Sequence, residues 1–426
     1  MNDFAKLLAR QISADIRALP TRARALLGAE SLAARAGTIG ELRAAARRRV
    51  PGVVFDYVDG GAGDELTLRR NVAALRSIEL RPRVLVDVSR VETATTVLGE
   101  PVALPLLGAP MGLAGLLSPA GEVALARALH EAGSISVLAA MASCSVEEVT
   151  AAASGPTWFQ MYLWRDRGLL RDMLARVRAA GVPVLVVTVD VPCSGNRDRD
   201  RRNGFSVPPR VTLRALSGGI RHPRWSYGFV RRPRIGWGNL PDGGGAGTVA
   251  LSTRTNQQFD SAATWADLSW FRENWDGRLV VKGILNPQDA RRAVQLGAEA
   301  VVVSNHGGRQ LDGAPATIRA LPAVADEVAG DAEVYVDGGI RRGADIVKAL
   351  ALGARACLAG RALAYGLGVA GQAGVRRAVD ILHGELRTVL ALVGCPSVQD
   401  LDSSWVSPSF VRPAEPGSAP RPGRQL

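Results

Sequence analysis

Four histidines occur in the chain, and only His306 stands at the end of an apolar, strand-like run; His130 and His383 fall in helical patterns and His222 in a long irregular stretch. A general base working near neutral pH is usually a histidine, and Asp190, which closes another apolar run, is suited to orient its ring and stabilise the imidazolium that forms. Three residues beyond the histidine, Arg309 offers a planar fork that matches a carboxylate, and Arg197 offers a second. Lys282 is one of only three lysines in an arginine-rich chain and ends the run VVKG. A point charge there can stabilise a reduced flavin ring or form a Schiff base with a carbonyl.

The segments VDGGIRRG and AGRA close two successive apolar runs. Gly338, Gly339 and Gly360 let backbone N–H groups approach an anion, and Arg341 and Arg361 add bidentate charge, which together describe a phosphate site. Each feature alone has a plainer reading, as a tight turn with surface arginines or a lysine reaching solvent from a strand end. Base, carboxylate fork, phosphate cradle and lone lysine together point to oxidation of a hydroxyl group α to a carboxylate. Cys144, Cys193, Cys357 and Cys395 are far apart with no CxxC pair, so neither a zinc site nor a disulfide scaffold is expected.

These residues need a frame that brings strand ends to one place. Eight short apolar runs supply it: Leu104–Ala109, Ile135–Ala140, Thr157–Tyr162, Val184–Asp190, Leu279–Gly283, Ala300–Asn305, Glu333–Asp337 and Ala356–Gly360. Amphipathic stretches such as GEVALARALHEAG and RRGADIVKALALG alternate with them, which predicts parallel strands covered by helices. Eight βα units without an early GxGxxG predict a closed (β/α)8 TIM barrel rather than an open doubly wound sheet. In a barrel the strand C-terminal ends share one mouth, and that is where Gln160, Tyr162, Thr188, Asp190, Lys282, His306, Asp337 and Gly360 fall.

The expected organisation is an N-terminal helical arm over 1–38, a barrel unit over 39–401 with a long insertion after strand 4 over 191–263, and a Pro-rich, mobile tail over 406–426. The insertion reads as an extended loop with little regular core. The formal net charge of +12 comes from arginines dispersed among acids, which reads as a solvated surface rather than a nucleic-acid face. No run reaches the roughly 20 apolar residues of a spanning helix, and no secretory signal opens the chain, so a cytoplasmic protein is expected.

At SNHGGRQLDG the chain resembles the FMN-dependent α-hydroxy acid oxidoreductases, the family of glycolate oxidase, L-lactate dehydrogenases and mandelate dehydrogenase. The resemblance recurs from about Ile39 to Leu401 at FDYVDGGAGDE, WFQMYLWRDRG, TVDVP, VVKGI, YVDGGIRRG and AGRA, and is strongest toward the bacterial L-lactate dehydrogenase branch. It implies FMN as cofactor, His306 as base with Asp190 as its partner, Arg309 and Arg197 as carboxylate ligands, and Tyr57 and Tyr162 as hydrogen-bond donors to substrate. It further implies Lys282, Gln160, Thr188 and Ser304 around the flavin ring, Gly112 over it, and Asp337, Gly338, Gly339, Arg341, Gly360 and Arg361 around ribityl and phosphate. Ala139 and Ala140 replace hydroxyl residues that many relatives carry, and Met141 stands where glycolate oxidases have Trp.

Lactate oxidation with electrons passed to quinone or another carrier is the leading expectation, and homo-oligomers are implied by the resemblance. A soluble oxidase that makes peroxide and a non-catalytic flavin-binding barrel are the alternatives. Between Arg210 and Arg254, eight arginines stand against Asp242 alone, interleaved with Trp225, Tyr227, Phe229 and Trp237. That composition suits an anionic membrane surface, so peripheral attachment at the inner face of the cell membrane is expected, against the plainer reading of a lid whose aromatics pack on the barrel.

Overall fold

The computed structural model describes residues 28–205, 221–231, 234, 236–240 and 258–407. Its centre is a closed barrel of parallel strands: β1 (Leu106–Gly108), β2 (Ser136–Ala139), β3 (Thr157–Tyr162), β4 (Val184–Thr188), β5 (Arg278–Ile284), β6 (Ala300–Val303), β7 (Glu333–Asp337) and β8 (Ala356–Ala359). Each strand pairs with its sequence neighbours and β8 closes on β1, so all eight expected runs become the eight barrel strands. The strands read as unbroken apolar runs because both faces are buried; in β4 every residue is.

Two cores result. Inside the barrel, Leu107, Trp158, Val186, Val302 and Tyr335 pack together, and an antiparallel hairpin of Thr95–Val97 and Glu100–Val102 adds Val97, Leu98 and Val102 at the end opposite the site. A larger core lies between barrel and helices. Helix starts follow the local sequence: the Ser145, Asp166 and Asn286 side chains accept the N–H groups of Glu148, Leu169 and Gln288. The chain packs beyond Leu401, since Trp405 and Val406 are buried and Val406 bridges to Leu80; residues 408–426, the bulk of the expected tail, lie outside the described residues, as do 1–27 of the expected arm.

Tyr57 rides on the helix Gly52–Asp59, which is fastened at its end. The buried Asp59 carboxylate accepts two hydrogen bonds from Arg43 (2.6 and 2.8 Å), one from Arg199 (3.1 Å) and one from the Tyr365 hydroxyl (2.7 Å). Burial alone would disfavour its ionised form and raise its pKa, but these partners more than offset that and hold the carboxyl at about 2. A depressed carboxyl contributes stability above its unfolded value, here roughly 2 kcal/mol, and that contribution is lost as pH falls from about 4 to about 2. In urea titrations, Asp59→Asn should be less stable than the parent at pH 7, with a gap that narrows across that window.

The insertion departs from expectation. Its described parts carry the helices Asp198–Arg202 and Pro223–Arg231, and Trp237, Asn239 and Phe259 are buried. Regular packing there was hidden in the sequence because its partners are far along the chain: the turn after β2 for Asn239, Trp164 for Phe259 and Asp59 for Arg199.

Candidate active site

The strand ends open on one cleft whose lining includes Tyr57, Gly112, Met141, Tyr162, Arg197, Lys282, His306, Arg309, Asp337, Arg341 and Arg361. His306, Gly307 and Gly308 follow β6 with φ of 57°, 63° and 75°, a left-handed turn that the two glycines make affordable and that commits a non-glycine residue to strain at the histidine. The turn is held from below: Asn305 and Asn71 exchange side-chain hydrogen bonds (2.8 and 2.9 Å), and Asn305 Oδ1 also accepts from Gly308 N–H (3.1 Å). His306 N–H donates to Ser304 Oγ (3.1 Å).

His306 Nδ1 lies 3.1 and 3.3 Å from the two Asp190 oxygens, at the end of β4. Burial, reinforced by Lys282 and Arg197 and opposed by Asp190, moves the imidazole below its ordinary value, so it rests neutral at pH 7. Burial pushes Asp190 the other way, but His306 and Lys282 outweigh it and the carboxylate stays ionised. This arrangement leaves Nε2 as a free base and gives the imidazolium a counter-charge once it has taken a proton.

Arg309 donates through Nη1 to the carbonyls of Tyr57 (2.7 Å) and Gly60 (3.0 Å), and its guanidinium lies 5.1 Å from the Tyr57 ring centroid. One side of the fork is thus a fixed anchor. Burial first, and Arg197 second, disfavour its charge, which a bound carboxylate would relieve. Tyr57 is itself stacked on Phe205 at 4.5 Å, and Tyr162 meets the Phe259 ring edge at 5.3 Å. Burial and then Asp190 raise the Tyr162 phenol, keeping it a neutral donor.

At the other end of the cleft, buried Lys282 donates to Ser304 Oγ (3.0 Å) and pairs with Asp337 (3.2 Å). Gln160 Oε1, Thr188 Oγ1 and Asp337 Oδ1 are buried acceptors with no partner. Thr188 stands beside Lys282 and Tyr162 in strand register, and Gln160 precedes Tyr162 by two residues on the same face of β3. Three unsatisfied polar atoms around one cationic lysine fit the edge of a heterocycle that carries both donors and acceptors, as the FMN ring does.

Residues expected at the phosphate also have structural roles here. Gly338 and Gly339 have φ of 93° and 96°, and a Cβ on Gly339 would lie 2.8 Å from Asn71 O, so backbone conformation and packing against Asn71 by themselves require glycine. Arg361 gives Nε, Nη1 and Nη2 to the carbonyls of Val58 (3.0 Å), Gly307 (2.8 Å) and Gly60 (2.8 Å), bracing the Tyr57 segment against the His306 turn. Burial and then Arg309 lower its pKa to about 9, so an anion bound beside it would be favoured. Gly360 and Arg341 line the same end.

Residue patterns alone did not reveal Phe205, Phe259, Asn71 or the Asp59–Arg199–Tyr365 cluster as parts of the site. Only the FDYVDGGAGDE motif, which contains Asp59, hinted at the cluster.

Barrel, base pair and phosphate-end arginines define a flavin-type oxidoreductase. The family model described as FMN-dependent dehydrogenase matches residues 46–408, and the chain belongs to that family, with FMN as its cofactor. It is 46% identical over 365 residues to an L-lactate dehydrogenase of Stenotrophomonas maltophilia, covering 85% of this chain and 96% of that protein, and 45% identical over 367 residues to one of Chromohalobacter salexigens, covering 85% and 93%. Among solved structures it is similar to the monotopic membrane protein (S)-mandelate dehydrogenase (TM-score 0.84, 36% identity, 88% of this chain and 99% of that one) and to mandelate oxidase with (S)-4-hydroxymandelic acid (TM-score 0.77, 39%, 87% and 98%).

Proposed function

We propose that this protein oxidises a small L-2-hydroxy acid, L-lactate above others, to the 2-oxo acid. The observation that carries this reading is a carboxylate-paired His306 facing the same cleft as the half-anchored Arg309. Arg309 and Arg197 hold the substrate carboxylate, Tyr57 and Tyr162 donate to its oxygens, and His306 Nε2 takes the proton of the reacting carbon or hydroxyl. FMN would supply a two-electron acceptor when bound; Lys282, Gln160, Thr188 and Ser304, with Gly112, would hold its ring, and Arg341, Arg361, Gly338, Gly339, Gly360 and Asp337 would hold ribityl and phosphate.

Anaerobic mixing of the purified yellow protein with L- and D-2-hydroxy acids tests this: L-lactate should bleach the flavin and D-lactate should not. Denaturation should release one FMN per chain; FAD would contradict the phosphate-end assignment. Arg309→Lys should raise KM for lactate at least tenfold with a smaller effect on kcat, because a point charge cannot replace an anchored fork.

Quinone at an anionic membrane surface is the proposed acceptor. No described helix is long and apolar enough to cross a membrane. Trp225 and Phe229 stack on each other at 4.7 Å and pack inward, Trp225 donating to Leu116 O (2.7 Å), and Trp237 is buried. Of the interleaved aromatics only Tyr227 remains for lipid, beside exposed Arg221, Arg224, Val230 and Arg231, so attachment is chiefly electrostatic. Co-sedimentation with anionic liposomes should therefore be lost at high salt; no binding, together with stoichiometric peroxide, would favour the soluble oxidase. Exposed Val84 and Leu85 support self-association, which sedimentation would detect.

A further inference from the structure

Between β2 and the insertion lies a contact that the proposed chemistry does not use. The turn after β2 is gripped from two sides. From one, the buried Glu122 carboxylate accepts the N–H groups of Ala114 (2.9 Å), Ser143 (2.9 Å) and Cys144 (3.1 Å). From the other comes the returning insertion: Gly238 N–H donates to Ala142 O (2.8 Å), and buried Asn239 accepts from Val146 N–H (2.7 Å) while its amide faces the carbonyls of Ala139, Cys144 and Ala140 at 3.3, 3.4 and 3.5 Å. A Cβ on Gly238 would sit 2.5 Å from Cys144 C and Ser145 N, so the two backbones are in direct contact and only glycine fits. Arg176 adds a bond to Asn239 O (2.6 Å).

Trp237 and Met141 each stand one residue before a member of this bonded pair, Gly238 and Ala142. Both line the cleft. A Cβ on Gly112 would lie 3.6 Å from Met141 Cβ and 3.7 Å from Tyr57 Oη, which places Met141 at the end of the cleft that holds Tyr57. Trp237 is 2% exposed, and its indole N–H has no partner. The ring is therefore held through backbone contacts and shape, and a smaller apolar side chain there breaks no hydrogen bond of the indole.

We propose that Trp237 is a specificity-determining residue: an indole delivered by the insertion closes the substrate wall and limits the enzyme to 2-hydroxy acids with a short apolar group on the carbinol carbon, excluding aryl side chains. Asn239 is its positioning residue. The inference rests on the reading that 2-hydroxy acids are the substrates.

The test compares flavin reduction by L-lactate, L-2-hydroxybutyrate and L-mandelate in the parent, Trp237→Leu and Trp237→Phe holoenzymes, with FMN content and melting temperature measured alongside. The mandelate-to-lactate ratio of kcat/KM should rise at least tenfold in Trp237→Leu and less in Trp237→Phe, and Asn239→Ala should move it the same way without altering any side chain of the cleft. A general loss of packing would lower all rates together and leave the ratio unchanged. An unchanged ratio in Trp237→Leu, or a parent that already prefers mandelate, overturns the proposal. Perturbation of the flavin spectrum by pyruvate and phenylglyoxylate gives a second arm: if no hydroxy acid reduces the parent, the functional reading fails, while tighter phenylglyoxylate binding in Trp237→Leu alone would still support the wall and equal binding would reject it.

Discussion

Replacing His306 with Gln is expected to leave a folded, yellow protein whose flavin is reduced by L-lactate at least ~10²-fold more slowly, the usual cost of losing a positioned general base. The flavin should stay because His306 bonds Asp190 and Ser304 rather than the phosphate-end residues. The pH dependence carries the stronger test. Burial holds the imidazole below 6.5, so the neutral, proton-accepting form persists to lower pH than an ordinary histidine allows. The parent's acid limb in stopped-flow reduction should fall below pH 6.5 and vanish in the variant. Reduction of the variant at the parent rate would remove His306 from its assigned role.

Lys282→Met is expected to act on both stability and flavin. The lysine neutralises Asp337 inside the protein, at 3.2 Å, and Asp337 Oδ1 already lacks a partner. Removing one member of a buried pair strands the other, which typically costs ~3–5 kcal/mol. The variant should melt well below the parent and retain FMN poorly. A second substitution separates the two effects: Lys282→Met with Asp337→Asn removes the stranded charge and should recover much of the melting temperature. It should not restore the midpoint potential of the flavin, because no cation then faces the reduced ring. Recovery of both would mean that Lys282 only balances Asp337.

Much of this molecule was legible in one dimension. The eight strands could be read because parallel strands buried on both faces become continuous apolar runs, a signal that needs no knowledge of partners. Barrel topology then forces strand ends to one mouth, so His306, Asp190 and Lys282 could be associated without coordinates. Even the left-handed turn at the base is written locally, in the glycines at 307 and 308.

What tertiary structure alone decided is every relation between groups distant in the chain. Arg361 reads as a phosphate ligand, yet its three nitrogens brace carbonyls at 58, 60 and 307. Gly339 reads as an anion nest, yet Asn71 packs where a side chain would be. Trp237 reads as an interfacial aromatic in an arginine-rich loop, yet backbone contact with the turn after β2 buries it in the cleft wall. Composition and periodicity report which faces are apolar and where the chain can turn. They carry no term for which buried surface meets which, and in this protein that pairing shapes the wall of the cleft and the supports beneath its charges.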